Sequence, residues 1–497
     1  INVINVLNRL KDAHTGLSSD CYSNFIFVQG MDLYSTVDSR GEQSIKVWKD
    51  FVDDTNSDCD VLQIDGLPAL QAIKQYADKE IGLVRDIGVR FNVALTSLSA
   101  DGTSEFSNYF SRRQYLPPTD EISYTLKCKG SKKTVKRTWT ACGISSSIES
   151  VTDPETYWNK NCLPAFSNTR QLYYRKISTT LKTQKRPTSP TTDNICRIIG
   201  QDEVLLNKAQ LLINLDSVGF YHLKKKKKIG VLTMSSVRFG NLMPGFQKFI
   251  DKGVKKVILD LTNNDGGYII GAHYFNNLLF PQTDPYFETD FRVSELMRLS
   301  IQKSSSSDFI TYPGIWVDPQ TKKPFKDATK FIGNNIYTRG GVSGSYTSRF
   351  IGPKGPSSKI NLPWKAEDYV ILTNGFCGSS CSFIATHLAE ENNVATVSVG
   401  GLFNTPMAYA SFTGGQEYQL NSIIRELERL GLSNNPLAPS HLPISAGLNF
   451  VIREAYSRSD PNEVLEFLYR PATKRLYYDS KSARDPSELW AQVADML

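Results

Sequence analysis

The sequence lacks several features that would assign it to a protein class at once. None of its 497 residues lies in an uninterrupted apolar run of 18, so the pattern excludes a membrane-spanning helix. Eight cysteines are too few for a disulfide scaffold of this length, although their even number allows bridges. The net charge of +7 (57 basic minus 50 acidic residues) is too dilute to indicate nucleic-acid binding. The remaining composition, with 40% hydrophobic residues, is that of an ordinary globular protein.

Nucleotide and metal motifs are also missing. The chain contains no G-x-x-x-x-G-K-[ST], no G-x-G-x-x-G and no H-E-x-x-H. Cys377 and Cys381 are four positions apart, which is not the C-x-x-C spacing of redox and zinc sites. The sequence therefore predicts no metal and no cofactor. Its five histidines are scattered, at His14, His222, His273, His387 and His441.

The chain starts at Ile1 without a methionine or a signal-like segment, which indicates a processed chain or a fragment. No N-x-[ST] sequon with a permissive middle residue occurs, and this weakens the case for a glycosylated secreted protein. The residues alone leave the localisation open.

The carboxyl-terminal half alternates between strand and helix patterns. Strands are predicted at 229–234, 256–261, 368–373 and 395–399, and helices at 244–252, 268–279 and 382–391. This alternation predicts an α/β fold with a mostly parallel sheet. Residues 282–365 are expected to form a long loop, and Asp485 and Pro486 to begin a last helix.

The first half is richer in short strand patterns, with one amphipathic helix at 69–76. A Thr-, Pro-, Ser- and Lys-rich exposed loop at 182–194 marks a domain boundary. The five lysines at 224–228 are read as a solvated strand edge, with a polyanion or membrane patch as the alternative.

Two turns are predicted at the carboxyl ends of parallel strands, where sites of such sheets lie. They span residues 263–267 and 374–381. In the second turn, Ser379 would precede a helix whose first amides have no intrahelical partner. A catalytic serine is one interpretation, and a simple N-cap at Ser379 or Ser380 is the other. The glycines of the first turn could supply an unobstructed oxyanion-hole amide.

A serine nucleophile needs a base, and no lysine occurs between Lys365 and Lys474. A histidine is therefore expected, oriented by an acidic group. His387 would lie about 12 Å along the helix from Ser379, too far to serve. His14 and His441 both remain open as the base, whereas His273 is expected on a helix face. Cys377 and Cys381 are interpreted as buried thiols or as one local disulfide, with a nucleophilic cysteine as a minor option.

These motifs resemble the carboxyl-terminal processing (tail-specific) serine protease family. The similarity rests on strand 229–232 and on V-I-L-D-L-T-N-N-D-G-G at 257–267. The D-A-H-T of 12–15 and C-G-S-S-C of 377–381 are similar to the branch related to the chlamydial protease-like activity factor. The I-D-G-x-x-A turn at 64–69 resembles the start of that family's PDZ-like module, and an ordinary β-turn-α unit is the alternative.

The resemblance implies a ClpP/crotonase-like protease core and a β-rich PDZ-like second domain. Residues 1–20 would be the remnant of an N-terminal helical part carrying the base, 21–220 the β-rich region with a degenerate PDZ-like module, and 221–497 the core. Protein or peptide substrates, a possible homodimer and a secreted or extracellular location are also implied.

Site residues are carried over from the family by position. Ser379 matches the nucleophile and His14 the base. Gly266 or Gly267, together with the Ser380 amide, matches the oxyanion hole. For the acidic member we predict Glu454, with two rivals, Glu463 and Glu466.

The expected activity is peptide-bond hydrolysis by a Ser–His–Glu triad through an acyl-enzyme. A catalytically inactive relative that binds peptides or hydrophobic ligands in the same cleft is the main alternative. An interaction protein built around the PDZ-like module is a further one.

Overall fold

A seven-stranded sheet lies at the centre of the carboxyl-terminal half. The computed structural model describes residues 2–102, 105–143, 151–163, 196, 206–308, 310–352, 361–411, 415 and 417–497. The strands, in chain order, are β1 (Gly16–Ser19), β2 (Phe25–Val28), β3 (Met31–Val37), β4 (Gln43–Asp50), β5 (Asp60–Ile64), β6 (Leu67–Pro68), β7 (Thr96–Leu98), β8 (Glu105–Ser107), β9 (Arg112–Arg113), β10 (Glu121–Cys128), β11 (Ser131–Thr138), β12 (Thr140–Gly143), β13 (Ala209–Leu215), β14 (Val218–Leu223), β15 (Ile229–Met234), β16 (Lys256–Asp260), β17 (Thr289–Phe291), β18 (Asn335–Arg339), β19 (Val342–Tyr346), β20 (Tyr369–Thr373), β21 (Ala395–Val399), β22 (Glu417–Gln419), β23 (Ala446–Val451), β24 (Arg453–Ala455) and β25 (Lys474–Leu476).

The α-helices connect and cover these strands. They span Asn2–Asn8, Asp20–Ser23, Ala69–Lys79, Ile87–Ala94, Pro154–Tyr157, Met243–Asp251, Ile269–Leu279, Glu295–Lys303, Ala328–Ile332, Ser380–Asn392, Leu420–Arg429 and Pro486–Asp495. Among the described residues, none of the helices is long and apolar enough to cross a membrane.

The central sheet has the strand order β13-β14-β15-β16-β20-β21-β25. The pairs from β15 to β25 are parallel, whereas β13, β14 and β15 pair antiparallel. Helices Met243–Asp251, Ile269–Leu279 and Ser380–Asn392 share one apolar core with this sheet, and Pro486–Asp495 shares the core on its other face. Burial on both faces explains why these strands read as continuous apolar runs. The predicted α/β class with a mostly parallel sheet is confirmed.

The first half contains a second, antiparallel sheet with the order β11-β10-β5-β4-β3. Helix Ala69–Lys79 packs on it by burying Ala69, Ile73 and Ala77 at intervals of four residues. A disulfide between Cys59 and Cys128 joins its strands. The helix predicted at 69–76 is confirmed and extends to Lys79.

The expectation of a structureless loop at 282–365 is wrong. This segment contains β17, two helices and the β18–β19 hairpin, and its described part has a core of its own. That core is aromatic: the Phe291 ring contacts those of Trp316, Phe331 and Phe350, and Phe350 also contacts Trp316 and Phe331. These residues come from short, irregular elements, so no helical or strand period marks them in the sequence.

The lysines at 224–228 lie in the turn between β14 and β15, where Lys226 forms an ion pair with Asp495. The loop predicted at 182–194 lies outside the described residues. The domain boundary placed there stays a prediction.

All eight cysteines are paired, as Cys21–Cys162, Cys59–Cys128, Cys142–Cys196 and Cys377–Cys381. The sequence permitted bridges without predicting this full set. Disulfides of this kind persist in oxidising compartments.

The last helix begins where the sequence predicts. The Asp485 side chain accepts the Ser487 backbone N–H, and Pro486 occupies the first turn. Trp490 is fully buried, and its Nε1–H donates to Asp260 Oδ2 at 2.6 Å. Burial raises the pKa of Asp260 to about 6. The helix is thus anchored to β16 by a polar contact inside an apolar layer.

We predict that Trp490→Phe lowers the free energy of unfolding by about 1–3 kcal/mol, because it removes a buried hydrogen bond and leaves Asp260 Oδ2 without that donor. Chemical denaturation measures the effect. Trp158→Phe is the matched control, since Trp158 is 48% exposed. Equal stability of the two variants would contradict this anchoring role.

Candidate active site

Two buried asparagines join the turns that follow β16 and β20. Asn374 Nδ2 donates to Asn263 Oδ1 at 2.5 Å, and the Asn263 backbone N–H donates to Asn374 Oδ1 at 3.2 Å. Asn263 has a left-handed φ of 58°, which asparagine tolerates better than most residues. Separating the turns would leave these groups unpaired in the interior, so the bonds fix the turns relative to each other.

A second contact brings the first turn against the predicted nucleophile. The Gly378 backbone N–H donates to the Asn264 carbonyl at 2.9 Å. A Cβ atom built on Gly266 would lie 2.7 Å from Ser379 Cβ and 3.0 Å from the Ser380 backbone nitrogen. Only a glycine fits such an approach, and the φ of 108° at Gly266 also favours glycine. The two predicted turns therefore meet at Ser379.

Ser379 has the strained backbone that is typical of a nucleophile elbow. Its φ is 51° and its ψ is −124°, outside the regions that non-glycine residues favour. It directly precedes helix Ser380–Asn392, yet its side chain makes no capping hydrogen bond in the described structure. The N-cap interpretation of Ser379 is thus not supported, and strain of this kind clusters at functional sites.

Backbone amides of both turns are available near Ser379. The Gly266 N–H is occupied, because it donates to Asn264 Oδ1 at 2.8 Å. The N–H groups of Gly267 and Ser380 have no acceptor among the described residues. Gly267 is exposed, and Ser380 is the first residue of a helix, where the helix dipole favours negative charge. Of the two glycines predicted for an oxyanion hole, Gly267 has the free donor.

The Cys377–Cys381 disulfide brackets Ser379, with both cysteines fully buried. The prediction of one local disulfide at the elbow is confirmed over that of two thiols. The bridge closes a five-residue loop with Ser379 at its middle. It therefore restricts the movement of the elbow.

Residues of the β-rich half contact both turns directly. Asn92 Nδ2 donates to the Asn374 carbonyl at 2.9 Å, and Asn263 Nδ2 donates to Ser97 Oγ at 2.9 Å. A Cβ atom on Gly375 would lie 2.3 Å from Val89 Cγ2. The sequence does not reveal these residues, since nothing local distinguishes Asn92 or Ser97 from other polar residues.

His14 lies in the turn before β1. Its backbone N–H donates to Asp12 Oδ1 at 2.9 Å, and Thr15 Oγ1 donates to Asp12 Oδ2 at 2.7 Å. Burial lowers the pKa of His14, and the negative charge of Asp12 opposes that shift. The imidazole is thus neutral at neutral pH, the state that a general base requires.

Chain connectivity limits how far His14 lies from the elbow. The Ser411 backbone N–H donates to the Cys377 carbonyl at 2.9 Å. Gly415 lies beside the imidazole, since a Cβ atom built there would be 3.6 Å from His14 Nδ1. Gly415 is four residues after Ser411, and four residues span at most about 14 Å.

The other histidines have different surroundings. His387 Nε2 bonds to the Asp284 carbonyl at 2.8 Å, and His222 Nε2 bonds to the Lys227 carbonyl at 2.6 Å. His273 is buried on helix Ile269–Leu279 against the ring of Tyr286. His441 is exposed in a loop.

Glu454, the predicted acidic member, lies on β24 as expected. Its carboxylate accepts from Arg339 Nη2 at 3.3 Å and from the Tyr456 hydroxyl at 3.1 Å. It also stands directly opposite Asp290 on β17. Glu454 therefore belongs to a polar cluster beneath the β18–β19 hairpin. The side chain of Glu463, one of its rivals, is exposed.

Glu466 lies in a different environment. Burial, together with the charges of Asp12 and Glu454, raises its pKa to about 8, and the charge of Arg85 opposes the shift. Its carboxyl group is thus close enough to sense Asp12, which is bonded to the His14 backbone.

The segment that follows Glu466 leads back to the elbow. The Tyr409 backbone N–H donates to the Arg470 carbonyl at 3.2 Å, and Ala408 pairs with Pro471 in an antiparallel bridge. Ser411, in the same stretch, pairs with Gly378. The residues that follow Glu466 thus run beside Ala408 and Tyr409, shortly before Ser411.

Known proteins share parts of this architecture. A family model described as a CPAF-like PDZ domain matches residues 26–143. The peptidase S41 family protein ustP of Aspergillus flavus is 26% identical over 49% of this chain and 62% of its own length. The peptidase S41 family protein phomP1 of Diaporthe leptostromiformis is 23% identical over 49% of this chain and 46% of its own.

The fold of the whole chain matches solved structures of CPAF. The alignment with mature CPAF has a TM-score of 0.52 at 13% sequence identity. It covers 99% of this chain and 85% of the CPAF chain. The alignment with mature CPAF complexed with lactacystin also has a TM-score of 0.52 at 13% sequence identity. It covers 99% of this chain and 87% of that CPAF chain. The chain resembles CPAF-like S41 proteases. This confirms the predicted resemblance, including the PDZ-like domain, which lies inside the predicted β-rich region.

The match to the curated S41 relatives is partial. The chain covers less than two thirds of the length of ustP and about half that of phomP1. The PDZ-like match spans about a quarter of this chain, and the similarity to CPAF at 13% identity concerns the fold.

We predict that Gly266→Ala strongly slows the labelling of Ser379 by a fluorophosphonate probe, by about 10²-fold, because the new methyl group would displace Ser379 Cβ. Labelling is followed by intact mass. Gly253→Ala is the matched control, since Gly253 also has a positive φ (66°) but no atom within 4 Å of the position that a new methyl group would take. Equal labelling of both variants would contradict the tight packing of the two turns.

Proposed function

We propose that this chain is a serine endopeptidase, with Ser379 as the nucleophile and His14 as the general base. The observation that carries the proposal is the strained φ of 51° at Ser379 beside two unbonded amides. The resemblance to S41 peptidases supports the same chemistry.

In the proposed reaction, Ser379 Oγ attacks a peptide carbonyl while His14 accepts the hydroxyl proton. The N–H groups of Gly267 and Ser380 stabilise the negative charge on the carbonyl oxygen. His14 then gives its proton to the departing amine, which leaves an ester on Ser379. A water molecule, deprotonated by His14, hydrolyses the ester and restores the serine. Gly266 contributes by its lack of a side chain rather than by its amide.

For the acidic member, Glu454 is the prediction made from the sequence, and we propose Glu466 instead because of its surroundings. The carboxylate of Glu454 already binds Arg339 and Tyr456. Glu466 is half-buried and senses Asp12 beside His14. A carboxyl group in this place would orient the imidazole by accepting its N–H, and once ionised it would stabilise the protonated imidazole.

Loss of the nucleophile should abolish hydrolysis. We expect Ser379→Ala to lower kcat by roughly 10⁶-fold, as in comparable triads, and to abolish fluorophosphonate labelling. Cleavage of a mixture of synthetic peptides is read by mass spectrometry. A folded wild-type protein that neither cleaves peptides nor reacts with the probe would support the inactive relative instead.

The acidic member can be identified by isosteric variants. We expect Glu466→Gln to lower kcat by about 10⁴-fold, because the histidine would lose the group that selects its tautomer. Glu454→Gln and Glu463→Gln serve as matched controls with near wild-type kcat. A large loss for Glu454→Gln alone would restore Glu454 as the acidic member.

The pH profile should report His14. Because burial lowers the pKa of His14 below 6.5, the base becomes protonated only at lower pH, so we expect the acid limb of kcat/KM to lie below pH 6.5. Asp12 raises the pKa of His14, so Asp12→Asn should move the limb to still lower pH.

Asp318→Asn is the control for this variant. Asp318 Oδ1 accepts the N–H of Gln320 two residues later, as Asp12 does for His14, but in an exposed loop. The control should leave the acid limb where it is in the wild type. An unmoved limb in Asp12→Asn would argue against His14 as the titrating base.

A further inference from the structure

An open pocket lies at the carboxyl edge of the central sheet, beside the two turns. Its volume is about 570 Å³, and it is formed by the loop after β15 and the start of helix Ile269–Leu279. The side chains that line it are Val237, Phe239, Asn241, Tyr268, Ile269, Ile270 and Tyr274, with Gly240 and Gly271.

The pocket shares its wall with the proposed oxyanion hole. Tyr268 directly follows Gly267, and its backbone N–H donates to the Val237 carbonyl at 2.9 Å. Val237 in turn donates its N–H to the Gly266 carbonyl at 2.9 Å. A peptide carbonyl that accepts the Gly267 N–H would therefore lie close to Tyr268, the next residue in the chain, which lines the pocket.

The chemistry of the pocket is apolar. The described side chains that line it carry no charge, and Tyr268 and Ile270 are 66% and 47% exposed. The Phe239 ring contacts the rings of Tyr274 and Phe275. Arg238 lies over the outer ring of Tyr268 at 5.5 Å. An apolar pocket of this size accommodates a large hydrophobic side chain.

The order of the strands decides which half of a substrate reaches the pocket. Along the sheet edge the loops follow β15, β16, β20 and β21 in that spatial order. The pocket lies between the first two loops, whereas Ser411 and the segment leading to His14 come after β21. The pocket thus adjoins the first turn, whereas Ser411, which pairs with Gly378 and precedes Gly415 beside His14, adjoins the second turn.

This arrangement orients the scissile bond. The base must give its proton to the departing amine, so the leaving half of the substrate lies on the His14 side. The acyl half lies on the other side, at the pocket. We propose that the pocket binds a large apolar side chain of the residue immediately N-terminal to the scissile bond. This inference rests on the proposed peptidase function and adds a substrate class to it.

The test uses the full chain and a peptide that it cleaves. The peptide is resynthesised with Leu, Phe, Lys, Asp or Gly at the residue N-terminal to the cleaved bond. We expect kcat/KM for Leu or Phe to exceed that for Lys, Asp or Gly by at least about tenfold.

A charge placed in the pocket should change the preference. In Ile270→Glu, we expect kcat/KM for the Leu peptide divided by kcat/KM for the Lys peptide to fall at least about tenfold. The new carboxylate would attract the lysine, whereas an apolar side chain would have to displace its hydration water. Ile336→Glu is the matched control, because Ile336 is 70% exposed on the β18–β19 hairpin and should keep the wild-type ratio. The ratio compares two peptides in one variant, so a general loss of activity does not affect it.

The outcomes separate this inference from the proposed function. Wild-type protein that cleaves peptides without an apolar preference, or whose preference is unchanged in Ile270→Glu, would overturn the pocket assignment and leave the peptidase standing. A preference that responds to Ile270→Glu on the C-terminal side of the bond would also overturn it. Wild-type protein that cleaves none of the peptides and resists the fluorophosphonate would overturn both.

Discussion

The reciprocal bonds between Asn263 and Asn374 are the constraint on which the candidate site depends. They join the turns of two neighbouring parallel strands, and both side chains are buried. With the turns fixed, Gly266 can approach Ser379 closely enough that no side chain fits between them. Loss of either asparagine would leave its partner unpaired in the interior, at a cost of about 1–3 kcal/mol. The strained elbow persists because its surroundings determine it from several directions at once.

Both halves of the chain contribute to that constraint. The parallel sheet brings the turns together. From the β-rich half, Asn92 donates to the Asn374 carbonyl and Val89 packs closely against Gly375. The Cys377–Cys381 bridge closes the elbow from within. Together, these contacts hold the backbone amides in place before a substrate arrives, which is the preorganisation that oxyanion stabilisation needs. Gly267 is exposed and directly precedes Tyr268, which lines the apolar pocket.

The carboxyl groups of Glu454, Asp290 and Glu466 differ in their burial and in the charges around them. Glu454 lies opposite Asp290 and binds Arg339, in a cluster beneath the inserted hairpin. Burial raises the pKa of Asp290 to about 7, which is what two facing carboxyl groups in a poorly solvated place require. Glu466 senses the charge of Asp12, next to the proposed base, and also that of Glu454.

The sequence by itself determined the parallel α/β core, the two turns, the serine between strand and helix, and the last helix from Asp485. Each of these has a local signature: an apolar run, a glycine-rich turn, or an N-cap followed by proline. Only the tertiary structure decided that Asn263 pairs with Asn374, that the described part of 282–365 has a core of its own, and which of the three predicted glutamates senses Asp12. Those outcomes depend on contacts between residues far apart in the chain, and such contacts leave no periodic or spacing signal for a single sequence to display.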